Sequence, residues 1–446
     1  MTVHSPRVSD PRVRRLAATL YGYAFLTELV LLYPLYALLF SDTGLSLWQI
    51  SSLFVIWSAT GVLLEVPSGA LADALSRRLL LSLAPLATAA GFALWVLAPG
   101  YPAFAVGFVL WGAGGALASG AVEALVFTEL DRLGAAGRYA RLNGRAKSAG
   151  TLGVLVSILL AGPVFAVGGY PAVGAASVLA CVLAAAVATR LPEHRPRPAV
   201  PGADLTAAPA GDAPTSAGDV PAPAGDAFAG AADVTAGDVG ADDGAGLGWW
   251  ASLRAGLAEV RADRAVRAAV LLVAVVAAVW GALDEYTPLL ARDTGVGEAV
   301  VPLLLLLVWV GVVAGGLLAP VGERLTARGN AGLLALSALA LAAGALLARP
   351  VGFALVAVAF CGFQLATVLA DARLQARITG PARATVTSLA GMATDATVMA
   401  AYGGYGLLAT GAGNGVAFAV AAVPYLAVAL IVATRADFGR ASTAAG

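Results

Sequence analysis

Two histidines, two cysteines and three methionines are all that this chain holds of three residue types that bind metals or carry redox chemistry. His4 and His194 both lie outside its apolar runs, which argues against a histidine proton relay or a histidine metal site. Cys181 and Cys361 both lie inside them, so neither a disulfide framework nor a zinc site is expected. Charge is scarce as well, at 12% of residues against about 25% in an ordinary soluble chain. The 27 basic and 27 acidic residues cancel, leaving no electrostatic case for nucleic acid as a partner. There is no Gly-x-x-x-x-Gly-Lys loop to cradle a phosphate, which disfavours an ATP-driven pump in one chain. An intramembrane enzyme would need a nucleophile, metal ligands or paired catalytic acids at one depth, and with both histidines elsewhere no enzyme and no cofactor is expected.

What the chain has in abundance is apolar sequence, 59% of its 446 residues. It falls into about twelve runs, each near the ~20 residues that cross a bilayer core as a helix. They lie at 16–40, 47–71, 78–98, 102–128, 146–168, 171–190, 266–290, 299–321, 331–348, 352–371, 384–409 and 414–434. Gly and Ala abound within them, as suits close helix packing where lipid supplies no hydrophobic drive. The first run is too long for a signal peptide, no small-residue cleavage site is evident, and more runs follow. The fold class expected is an all-α membrane protein of twelve transmembrane helices.

The charges confirm the count. If the N-terminus is cytoplasmic, 25 of the 27 Lys and Arg fall on inner segments and only Arg292 and Arg349 on outer ones. A missed span would invert every later loop, so the positive-inside rule places both termini in the cytoplasm of a multi-pass plasma-membrane protein. A lipid bilayer is therefore the first partner, and a monomer is expected.

The chain also repeats itself. Gly61, Val62, Asp73, Leu75, Ser76 and Arg78 have counterparts Gly311, Val312, Glu323, Leu325, Thr326 and Arg328. Ser41-Asp42-Thr43-Gly44 resembles Arg292-Asp293-Thr294-Gly295, Gly107-Phe108 matches Gly352-Phe353, and Arg132 and Arg138 match Arg377 and Arg383. The offset drifts only from 251 to 245, so the spans divide into two pseudo-symmetric halves of six, as in transporters built from parallel repeats. The halves are residues 1–191 and 249–446. Between them, 192–248 is rich in Ala, Gly, Asp and Pro, with a near-tandem seven-residue unit from Ala210, and reads as a disordered cytoplasmic linker. Trp249, Trp250, Leu253, Leu257 and Val260, interleaved with charges, form either an amphipathic surface helix or a plain extension of span 7.

The stretch Gly69-Ala-Leu-Ala-Asp73-Ala-Leu-Ser-Arg77-Arg78 resembles the loop signature of the major facilitator superfamily, with Ala74 in place of its first basic residue and Ser76 in place of its Gly. The resemblance extends to the twelve spans, the two halves, the central linker and the degenerate copy at Glu323, Arg324 and Arg328. It implies a cavity between the halves that opens alternately to either side. Asp73 at the end of span 2 is expected to meet the start of span 11 near Arg383, and Arg77 and Arg78 to reach Glu129 and Asp131. With Gly69, these residues make a cytoplasmic gate that breaks when the halves rock. The plainer alternative is that they anchor a loop.

Acids inside spans are costly and usually line a bundle interior or a water-filled cavity. Glu28, Glu65, Glu123, Asp284, Glu285, Asp371 and Asp395 are such acids. Glu28 and Asp395, near mid-membrane, are the leading proton or cationic-substrate sites. Glu65, before Pro67 and Gly69, either holds a helix break or binds; Glu123 belongs either to a site or to the inner gate; Asp284 and Glu285, ahead of Pro288, are also placed to form an outer gate. Tyr33, Trp57, Trp111, Tyr286 and Gln364 are further cavity residues, while Trp48 and Trp95 read as interface belts. In span 5, Gly153, Gly162-Pro163 and Gly168-Gly169 partly match the glycine-proline motif of the family's antiporters. The function expected is proton-coupled export of a small molecule, with uptake by the same fold and a non-transporting receptor as alternatives.

Overall fold

The computed structural model describes residues 10–194, 264–378 and 383–444, apart from a few side chains within them. The linker repeat, the Trp249–Val260 stretch and the side chains of Asp73 and Arg383 lie outside the described residues.

Among the described residues the chain is helical and crosses the membrane twelve times. Span 1 is Pro11–Glu28 continued by Tyr36–Asp42, span 2 Leu47–Ala74, span 3 Arg77–Leu97 and span 4 Tyr101–Arg132. Tyr139–Ala188 holds spans 5 and 6. At 50 residues a straight helix would run about 75 Å, well beyond the ~30 Å of a hydrocarbon core. It turns at Gly169, whose φ of 60° and ψ of −155° only glycine adopts readily.

The second half repeats this order. Span 7 is Arg264–Asp284 continued by Thr287–Asp293, span 8 Val301–Leu317 extended by Ala319–Gly322, and span 9 Ala327–Leu346. Spans 10, 11 and 12 are Gly352–Arg377, Arg383–Ala412, and Asn414–Ala421 with Val423–Ala444. Large apolar side chains such as Leu159, Leu179, Leu336 and Leu430 stand exposed along the spans, the reverse of a soluble protein.

The repeated residues have repeated jobs. The Ser76 hydroxyl accepts from the Leu79 N–H at 3.1 Å and starts span 3, and the Thr326 hydroxyl accepts from the Gly329 N–H at 3.2 Å and starts span 9. Gly44 and Gly295 both close the first span of their half in the left-handed region, at φ 86° and 82°. Both first spans are also broken partway. Pro34 has no N–H to give the Val30 carbonyl, and the Leu32 N–H, inside the break, donates to Ser177 Oγ of span 6 at 3.0 Å. Span 7 breaks ahead of Pro288, where the Thr287 hydroxyl donates to the Asp284 carbonyl at 2.6 Å.

The core is unevenly divided. On the face opposite the chain's ends, here the far face, one apolar cluster runs through both halves, from Val30 and Phe54 to Tyr286 and Tyr425. On the face that carries the ends, each half keeps its own cluster, one around Leu16, Leu81 and Leu130, the other around Val270, Leu374 and Val386. The halves share one apolar cluster at the far face, whereas among the described residues the other face has one cluster in each half.

Trp95 is not an interface anchor. It is fully buried, its indole N–H donates to the Phe104 carbonyl at 3.1 Å, and its ring lies against Phe108 at 4.7 Å. Gly107 leaves the slot it fills, since a Cβ there would fall 1.9 Å from Trp95 Nε1.

Candidate functional site

The two helix breaks place acids from both halves deep in the bundle. Glu28 ends the inner part of span 1, and Asp284 and Glu285 end that of span 7. All three are partly exposed despite their depth, as expected of the walls of a cavity. Tyr33, in the span 1 break, lies within hydrogen-bonding reach of Glu28 and within electrostatic reach of Glu285 of the other half. Tyr402 of span 11 senses both Asp284 and Glu285. Asp284 and Glu285 were also read as an outer gate; the described bonds across the far face are made by Tyr286 and Arg292, which follow them. Pro288 ends the inner helix, so the acids stay below the closure and Tyr286 enters it.

An aromatic wall flanks this site in the first half. Tyr33 stacks on Trp111 of span 4 at 5.4 Å and 17°, and Trp111 stacks on Trp57 of span 2 at 4.7 Å and 25°. All three rings remain partly exposed. Opposite, Gln364 of span 10 is buried, and its Oε1 has no hydrogen-bond partner. It lies between Phe360 and Thr367, both in contact with Trp280 of span 7. Trp280 and Asp284 are four residues apart and so share a helix face. Gln364 thus lies beside Trp280, with its Cβ towards Gly315 of span 8, and Asp284 stands one helical turn farther along span 7.

Above the site the far face is shut. Tyr286 pairs with Ser51 of span 2 at 2.7 Å, lies edge-on to Phe54 and stacks on Tyr405 at 3.6 Å. Arg292 donates to Asp42 at 2.8 Å and also to Ser41. Asp42 accepts in addition from the Tyr170 hydroxyl at 2.6 Å and interacts with Glu298. Burial, first, and then the Asp42 carboxyl hold Glu298 above the usual carboxylate range, partly offset by Arg292. Burial and its bond to Asp42 raise the Tyr170 hydroxyl, which stays a donor. The equivalent Asp293 instead accepts from Asn414 at 2.8 Å within its own half. A Cβ on Gly162 of span 5 would come within 2.4 Å of the Ala299 carbonyl, so the halves touch there backbone to backbone.

On the face of the chain's ends, Arg77 and Glu129 bond within the first half. The Arg77 guanidinium donates to the Ala124 carbonyl at 3.0 Å and to Thr128 at 2.9 Å, the residue before the expected Glu129. Buried Glu129 is taken by His194, through its backbone N–H at 2.7 Å and ring Nδ1 at 3.0 Å, with Arg132 at 4.0 Å. Glu193 accepts from the N–H of Arg77 at 2.8 Å and of Arg78 at 3.4 Å, and from Ser76 Oγ. Residues 192–194, read as linker, thus dock on the first half at the start of span 3, where helix N–H groups lack partners.

Glu323, Arg324 and Arg328 are exposed, and a side chain on Gly69 would meet nothing within 4 Å. Glu65 of span 2 and Asp395 of span 11 lie within electrostatic reach across the gap, whereas Glu123 sits half-buried in span 4. The cross-half bond at Asp42 was not foreseen. Its signal was present in Arg292, one of only two basic residues assigned to the far side.

The sequence profile of the Major Facilitator Superfamily matches residues 17–413. No curated protein matches the chain in sequence. Among solved structures it is similar to a bacterial homologue of the human lysosomal transporter Spinster in an inward-facing, unoccupied conformation, at 15% identity and TM-score 0.64 over 97% of each chain. The nucleoside transporter NupG is similar at 10% identity and TM-score 0.63, over 96% of this chain and 98% of that one. A D-xylose-proton symporter is similar at 16% identity and TM-score 0.59, over 94% and 96%. At such identities the likeness is one of fold.

Proposed function

The chain belongs to the Major Facilitator Superfamily, and on that premise we propose that it is a secondary active transporter that exports a small molecule in exchange for protons. The observation that carries this reading is the uneven joining of its halves. Ser51, Asp42 and Gly162 bind the second half at the far face, while the opposite face keeps two separate cores. This is one of the two arrangements that rocking about a central site requires. Acids at two broken helices supply that site with groups able to hold a proton or a cation.

We place the chain in the plasma membrane with both ends in the cytoplasm, from the distribution of its basic residues. On this reading the cavity faces the cytoplasm here, and Gly69 stands open because its closing contact forms in the other state. Export is favoured by the glycine-proline pattern of span 5 and the number of acids within the spans.

The test is substrate-dependent proton flux in vesicles holding the purified protein, screened over cationic, neutral and anionic compounds. Uptake coupled to an imposed pH gradient in the exchange direction supports the reading. Flux indifferent to the gradient defeats proton coupling, and flux only in the opposite sense defeats export. Asp73→Asn is expected to abolish flux at normal membrane abundance; unchanged flux would remove Asp73 from the gate.

A further inference from the structure

Among the described residues, neither Asp284 nor Glu285 has a hydrogen bond or ion pair to its carboxylate. Lys and Arg lie only in loops and at span ends, so no fixed cation sits at the depth of these acids. A bare carboxylate there is costly until a proton or a cation neutralises it. Gln364 adds an independent sign. Its Oε1 is a buried acceptor left without a partner, on the stretch of span 10 that Trp280 covers, one helical turn along span 7 from Asp284. An unmet acceptor in a buried site costs free energy that a bound donor or positive charge recovers. Tyr33, Trp111 and Trp57 offer π faces at the same depth, and such faces attract cations and reject anions.

We propose that the cargo is a hydrophobic organic cation, its charge held between the acids of the two helix breaks and its apolar body laid against the Tyr33–Trp111–Trp57 wall. This rests on the transporter reading and names the substrate class of that same site. It also supplies a reason for exchange. Cargo and protons neutralise the same carboxylates, so each displaces the other, and their mutual weakening is reciprocal. An anion would meet the carboxyl groups of Glu28, Asp284 and Glu285.

The test uses tetraphenylphosphonium and tetraphenylborate, ions of matched size and shape and opposite charge. Binding of each to the full chain in nanodiscs is measured by equilibrium dialysis, with protein-free nanodiscs subtracted. The expected result is saturable binding of the cation alone, weakening as pH is lowered. Asp284→Asn with Glu285→Gln should weaken it at least tenfold, with the melting temperature confirming that the variant is folded. Should the double variant fail to fold, Glu285→Gln alone is expected to weaken binding threefold or more.

Equal binding of the two ions, no binding of the cation, or binding indifferent to these substitutions would overturn the proposal. The two readings fail separately. Flux of a neutral or anionic solute without cation binding sinks the cation site and leaves the transporter. Cation binding with no flux of any compound sinks the transporter and leaves the site.

Discussion

Arg292 reaches from the far end of span 7 to Asp42 at the far end of span 1, at 2.8 Å, so one guanidinium ties together equivalent points of the two halves. It also bonds Ser41, which occupies its own place in the repeat. Both partners of the ion pair are about a third exposed, so solvent screens it and its worth is about 0.2–1 kcal/mol. Arg292→Ala is therefore expected to raise the population open at the far face by up to about fivefold without unfolding the protein. Alkylation of a cysteine placed at Ser51 reads this directly, and an unchanged labelling rate would show that the pair does not hold the face shut.

A pH dependence follows from Glu298. Its carboxyl in the closed face is held above the ordinary range, first by burial and then by Asp42, so closure takes up a proton. The stabilisation is complete below the ordinary carboxylate value and is lost as pH rises through the raised one. Tyr170 remains a donor throughout, and Arg292 and Asp42 are the other charged groups in the cluster. Far-face labelling should thus increase with pH over that window. Glu298→Gln should flatten the profile, and a profile with the same slope in the variant would assign the effect to another group.

Much of this architecture was legible. Twelve apolar runs and the even split follow from hydropathy and from the repeat, in which Ser76 and Thr326 hold one place. What was not legible depends on partners distant in the chain. Trp95 looked like an interface residue because nothing beside it marks the slot at Gly107. Glu129 was expected to meet Arg77 and Arg78 and instead meets His194, from a stretch whose composition reads as linker. The acids at the breaks were seen as acids, but that Tyr33 lies in reach of acids from both halves depends on the breaks in spans 1 and 7.

Gly162 tests whether closure depends on bare backbone. A Cβ there would sit 2.4 Å from the Ala299 carbonyl of the other half, with no flexible side chain to yield. Gly162→Val should block full closure of the far face and shift the protein towards its other state, leaving each half intact. The expected sign is faster far-face labelling with little change in melting temperature. Unchanged labelling would mean that the halves meet elsewhere.

Gly107→Ala acts within one half instead. Its methyl would collide with the buried Trp95 ring, and overpacking of this kind costs roughly 1–3 kcal/mol. A lower melting temperature with unaltered far-face labelling is expected. Pairing the change with Trp95→Phe should restore part of the loss, and no recovery would point to a cause other than the ring.

The central claim is that two halves rock about a site set at the breaks of spans 1 and 7. The most direct test is the distance between paired spin labels in a background with Cys181 and Cys361 replaced. One pair sits at Ala74 and Ser388, on the face of the chain's ends, and the other at Thr43 and Ala412, on the far face. All four positions are exposed. The account predicts two populations with opposite changes, the first pair shortening where the second lengthens, and a balance that shifts with pH. A single fixed distance for each pair across pH would contradict it.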